Sequence, residues 1–184
     1  MDWKDVSLAT FKRLKGLDVN DLDDQIEAAA ILLGVDVNSM TWGEFCRELG
    51  KLDFLKDEIP RSIVRTSYTL NGRKYITKAN LQELTVSRYM DFTNQVKTGD
   101  LEKILSVVLI PEGKEYGDYD IEQVYKDILT MNVVDVYAVF NFFRVQFIVC
   151  VKTMKDFSVK SLRKDPKLAE LVSDAMEFYS MSDL

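Results

Sequence analysis

No histidine occurs among the 184 residues. That absence removes the Ser-His-Asp and Cys-His arrangements, His-ligated zinc and the ordinary general base of neutral pH. Two cysteines, Cys46 and Cys150, stand far apart without a C-x-x-C partner, so neither redox nor zinc spacing is present and both are expected as buried free thiols. The acidic loop from Glu112 to Asp120 offers carboxylates and flexible turns of the kind calcium uses, but it lacks the D-x-[DN]-x-[DN]-G-x₅-E order. The cluster from Asp18 to Asp24 fails in the same way, and its acids suit the electropositive start of a helix instead.

Ser161-Leu162-Arg163-Lys164 has the S-x-x-K order in which a lysine amine activates a serine, but the S-D-N element that accompanies it is missing. Neither G-x-x-x-x-G-K-[ST] nor G-x-G-x-x-G occurs, so no phosphate cradle is legible. With 30 acids, neighbouring carboxylates are expected everywhere and single out no acid–base pair. No catalytic, cofactor-binding or metal-ligating residue is therefore assigned, no cofactor is expected, and the chain reads as a non-enzyme.

The elements that would position any site read as mostly helical. Ser7 caps a short helix to Lys15, and Asn20 or Asp21 opens one closed by Gly34. Thr41 with Glu44 forms a capping box before Phe45, Leu49 and Leu52, and Pro60 then starts an extended segment. Asn71-Gly72, between Tyr68-Thr69-Leu70 and Arg73-Lys74-Tyr75, predicts a hairpin with a type I′ turn that sets Leu70 against Arg73 and Tyr68 against Tyr75. Thr85 opens a helix closed by Gly99, and Asp100 caps another running up to Pro111. Asp120 with Gln123 resembles a capping box, and Asp165-Pro166 starts a last helix carrying Leu168, Leu171, Val172, Ala175 and Phe178. The fold expected is mainly α, a compact helical domain with a small β-hairpin near 66–77. Residues 1–60 form an N-terminal helical segment and 61–184 the hairpin with the remaining helices, together one compact unit.

The stretch from Val133 to Val151 is the most apolar. Asp135, Asn141, Arg144 and Gln146 interrupt it, which argues against a membrane span. At 100° per residue its polar positions fall on two thin edges, leaving two apolar faces. It is either the central helix of the domain or one that completes its burial against another molecule. Tyr137, Phe140, Phe142, Phe143 and Phe147 crowd it, and with Tyr68 and Tyr75 on the hairpin they are the candidate protein-contact residues, core being the competing assignment for each.

A net charge of −6 disfavours nucleic acid, whose phosphates need clustered Lys and Arg. The concentration around Lys152, Lys155, Lys160, Arg163, Lys164 and Lys167 reads as a solvated helix end. The start, Met1-Asp2-Trp3-Lys4-Asp5, has no signal-peptide pattern, so a reducing cytoplasm is expected and no membrane.

The order of short motifs resembles small virion- and tail-region proteins of tailed bacteriophages infecting Bacteroidetes, including crAss-like phages. It runs through Leu52-Asp53-Phe54-Leu55, the Asn71-Gly72 hairpin with Tyr75, and Leu84-Thr85-Val86-Ser87-Arg88-Tyr89-Met90-Asp91, then Ile110-Pro111-Glu112-Gly113 with Tyr116, and Phe142-Phe143. Arg88 stands where a glutamine is more usual. The resemblance covers roughly residues 5 to 155. It implies a structural neck or tail component, or a tail assembly chaperone, in the host cytoplasm during assembly and then in the virion. The partners it implies are other phage structural or tail proteins, or a second copy. The alternatives are an acidic inhibitor mimicking nucleic acid, which needs a continuous carboxylate stripe, and a small carboxylate-based enzyme, which needs a concave acidic site.

Overall fold

A computed structural model of the chain describes residues 1–18, 20–77 and 84–158. Its helices are α1 (Leu8–Leu14), α2 (Leu22–Leu33), α3 (Trp42–Leu49), α4 (Val86–Thr98), α5 (Leu101–Val108), α6 (Ile121–Leu129) and α7 (Val133–Ser158). Three short strands, β1 (Ser67–Leu70), β2 (Arg73–Thr77) and β3 (Leu109–Pro111), form an antiparallel sheet in the order β1-β2-β3. The class is thus mainly α with a small β region. The expected last helix, the Ser161–Lys164 pair and the basic residues from Lys160 onward lie outside the described residues.

Most helix starts follow from local chemistry. The side chains of Ser7, Asp21, Thr41 and Thr85 accept the free backbone N–H groups of the first turns, and Thr41 with Glu44 completes a reciprocal box. Two expectations need correction. Asp100 stands at the N-cap of α5, but its side chain accepts from no backbone N–H of the first turn; its carboxylate pairs with Lys103 at 2.8 Å and faces Lys12 at 3.8 Å. Asp120 accepts from Glu122 and Gln123, but the Gln123 amide turns forward to Asp127 instead of back to the cap.

The hairpin has the predicted register, with Tyr68 opposite Tyr75 and Leu70 opposite Arg73, and both turn residues take positive φ, 48° at Asn71 and 76° at Gly72. A two-stranded hairpin alone is marginal in water. β3 adds the third strand, pairing Tyr75 to Thr77 with Pro111 to Leu109. The helix expected to run to Pro111 therefore stops at Val108, since the residue before a proline is pushed toward extended backbone and Ile110 finds a ladder partner in Ile76.

One cluster of buried side chains joins the sheet to α4, α5, α6 and α7, among them Tyr68, Leu70, Phe92, Leu105, Val108, Ile128, Val139, Phe143 and Phe147. Two smaller clusters continue from it. Trp3 and Val6 pack on Val133 and Val134 at the start of α7, and Ala29, Phe45 and Leu52 close α2 against α3 and the 3-10 turn Gly50–Lys56. A backbone clamp ties the chain start to α7, with Leu8 donating to the Met131 carbonyl and Val133 to that of Val6, both at 2.8 Å.

Below the sheet, Asp127 is fully buried and accepts from Asn71 at 2.9 Å, Arg73 at 2.9 Å, Tyr75 at 2.6 Å and Gln123 at 2.9 Å. Burial pushes this carboxyl toward the neutral form, but the bonds from Tyr75, Asn71, Arg73 and Gln123 outweigh it and hold the pKa at about 2. The same carboxylate, after burial, raises the Tyr75 phenol well above its usual range. One carboxylate thus locks both turn and strand of the hairpin onto α6.

Candidate docking site

The aromatic contact candidates divide. Tyr68, Tyr75, Phe143 and Phe147 are core residues of this one chain, which corrects their assignment to a contact surface. Tyr68 accepts a bond from the Arg65 backbone N–H at 3.0 Å, and Phe143 and Phe147 both pack against Phe92. Tyr137, Phe140 and Phe142 are only partly buried. Of these, Tyr137 and Phe142 line an open trough.

One wall of that trough is the chain leading into the hairpin, and the other is α7. A depression of about 620 Å³ lies between Ile59–Val64 and the face of α7 bearing Tyr137, Phe142 and Val145. A second, of about 440 Å³, lies between Arg65–Leu70 and residues 130–132 with Asp135. In the first depression, Ile63 is 88% exposed and Val145 60%. Aromatic content singled out α7 but not these two aliphatic residues. The signal available was Ile63-Val64 standing just after Pro60 between Arg61 and Arg65.

The strand-side wall has unpaired backbone. Among the described residues, Glu58 to Val64 exchange no backbone hydrogen bonds and belong to no helix or strand. In β1, hydrogen-bonded pairs alternate with open ones. Leu70 faces Arg73 across the two-residue turn, and Thr66 accepts from Thr77 at 2.9 Å, so the groups of Tyr68 also turn inward. Those of Ser67 and Thr69 therefore point outward, along a sheet edge that pairs with no other strand among the described residues and borders the second depression.

A further cavity, of about 310 Å³, lies between α2, α3 and the turn after it, with Leu49, Leu52 and Leu55 as walls and Asp24, Asp53 and Lys56 at its polar side. Cys46 borders it and is exposed, not buried as its type suggested. Cys46 is therefore expected to react with a maleimide in the native protein, with peptide mass spectrometry showing full labelling before any unfolding; protection until denaturant is added would contradict the placement.

The other sequence candidates have structural uses. Asp18 accepts from Asn20, and its backbone N–H donates to Asp24 at 2.7 Å. Glu112 pairs with Lys74, and Asp120 caps α6. Lys97-Thr98-Gly99 spells the K-T-G companion of S-x-x-K, but it forms the C-terminal end of α4, with Gly99 in the left-handed cap. Among the described residues, no three Cys, Asp or Glu side chains gather as metal ligands, and no helix is long and apolar enough to cross a membrane. No protein-family model, curated protein or solved structure matches this chain.

Proposed function

We propose that this chain is a non-enzymatic bacteriophage protein that acts through protein contacts in tail or virion assembly, as a neck or tail component or as an assembly chaperone. It works in the host cytoplasm during assembly, and as a structural component it stays in the particle. The single observation that carries the contact reading is the depression between Ile59–Val64 and α7, where Ile63 and Val145 leave apolar surface uncovered. The order of short motifs shared with phage tail-region proteins supplies the setting.

The test pairs two variants with quantitative mass spectrometry of purified virions and infected-cell lysate. Ile63→Asp with Val145→Asp is expected to abolish co-purification of the partner while shifting thermal unfolding by no more than about 2 °C, because neither side chain is packed. Fixed stoichiometry in virions identifies a structural component, and abundance confined to lysate identifies a chaperone. Full partner recovery by the double variant would remove the reading.

A further inference from the structure

We propose that Arg88 anchors an anion site beneath the loop of residues 112–119, where its guanidinium takes the carboxylate of a small monocarboxylic acid once the Tyr116 side chain has swung aside. The inference is independent of the contact reading above.

Arg88 lies in the first turn of α4 and is only 5% exposed, a depth at which arginine is almost always paired with an acid. Here Nε donates to the Val107 carbonyl at the end of α5 at 2.5 Å, and the Tyr116 ring lies over the guanidinium at 5.1 Å to its centroid. Nη2 has no hydrogen-bond partner. Among the described residues no carboxylate is in ion-pair contact with the group. Glu115 attracts it through space, and Asp91, one turn further along α4, accepts instead from the Tyr116 hydroxyl at 2.9 Å. Burial accordingly lowers the Arg88 pKa from its ordinary value. A carbonyl and a ring face offer partial charge alone, so the unused end of this planar donor fork lacks the anion that its burial calls for.

The cover over this group has a simple way to open. Gly113 and Gly117 hold positive φ, 75° and 94°, and the tip bonds to itself, Lys114 donating to the Pro111 carbonyl and Asp118 to that of Glu115, both at 3.1 Å. Tyr116 ties the tip to α4 by one hydroxyl bond and one ring contact. Rotating that side chain outward uncovers the guanidinium and breaks no backbone hydrogen bond. Charge and shape then select the ligand. Glu115 and Asp118 stand on the loop against Lys114, with Asp91 beneath, so a monoanion meets less repulsion than a phosphate dianion. A carboxylate also matches the planar fork with two parallel N–H···O bonds.

The probe is benzoate, with benzamide as its neutral isostere and inorganic phosphate as the dianion, each titrated calorimetrically into the full chain at fixed ionic strength. Benzoate is expected to bind with a dissociation constant on the order of 1 mM, and the other two at least about tenfold more weakly. It should also move the Arg88 Nε–H resonance in nuclear magnetic resonance spectra. Arg88→Lys, which keeps the charge but loses the fork, is expected to weaken benzoate about tenfold. Tyr116→Phe keeps the ring and removes the bond to Asp91, so the covered state competes less and affinity rises about threefold. No benzoate binding, equal affinity for benzamide or phosphate, an unmoved Arg88 resonance, or unchanged affinity in either variant overturns the proposal. Should Arg88→Lys fail to fold, Tyr116→Phe and the resonance decide it. A tripeptide with a free C-terminus, run against its amide, separates the two sources of a carboxylate. Binding about tenfold tighter than benzoate, lost in the amide, supports the site with a protein terminus as its ligand; weaker binding supports it with a free acid.

Discussion

Asp127→Ala is expected to lower the melting temperature by about 6–12 °C, the largest loss from any single polar substitution among the described residues. The change leaves Tyr75 and Arg73 without their acceptor and releases the Asn71 side chain from the turn. Removing one member of such a buried cluster costs about 3 kcal/mol, taken at the lower end because Arg73 remains half exposed to water. For a chain of this length that converts to the stated interval. The carboxyl also predicts a pH dependence. Its folded pKa, about 2, lies below the ordinary 3.8, so the stabilisation is complete above pH ~4 and is lost as pH falls from there through ~2. The wild-type protein should lose about 2 kcal/mol across that window that Asp127→Ala does not lose. Parallel curves for the two proteins, by urea unfolding at each pH, would show that the carboxylate contributes nothing.

Phe143→Ala is expected to cost about 3–5 kcal/mol and to lower the melting temperature by roughly 10 °C or more. Its ring is wholly buried, tilted against Phe92 on α4 and edge-to-face with Phe142 on its own helix. Phe142→Ala, one residue away but facing the trough, should cost about 1–2 kcal/mol. The pair separates core from contact within a single dipeptide. Equal losses in calorimetry would mean that Phe142 is also core and that the trough is narrower than its walls indicate.

These two positions also mark how far the sequence can be read. Adjacent phenylalanines carry the same hydrophobicity, so composition predicts contact or core for both alike. Which one is enclosed depends on the rotation of α7 against α4, and that depends on side chains some 50 residues upstream. Asp127 shows the same limit. As an acid near the end of an amphipathic helix it is unremarkable in sequence, and only the approach of the Asn71-Gly72 hairpin, 56 residues away, adds three donors to the one that Gln123 supplies from the same helix.

The chain alone determined whatever depends on neighbours within a few residues. That includes the capped helix starts, the glycine stops, and the positive-φ turn with its cross-strand register. Backbone conformational preference and hydrogen bonding over three or four positions are local energies, and they can be read in order. Tertiary structure alone decided the third strand, the core assignment of Tyr68, Tyr75, Phe143 and Phe147, the exposure of Cys46, and the trough that leaves Ile63 and Val145 uncovered. Burial is a property of what packs from elsewhere in the chain, and no local pattern encodes it.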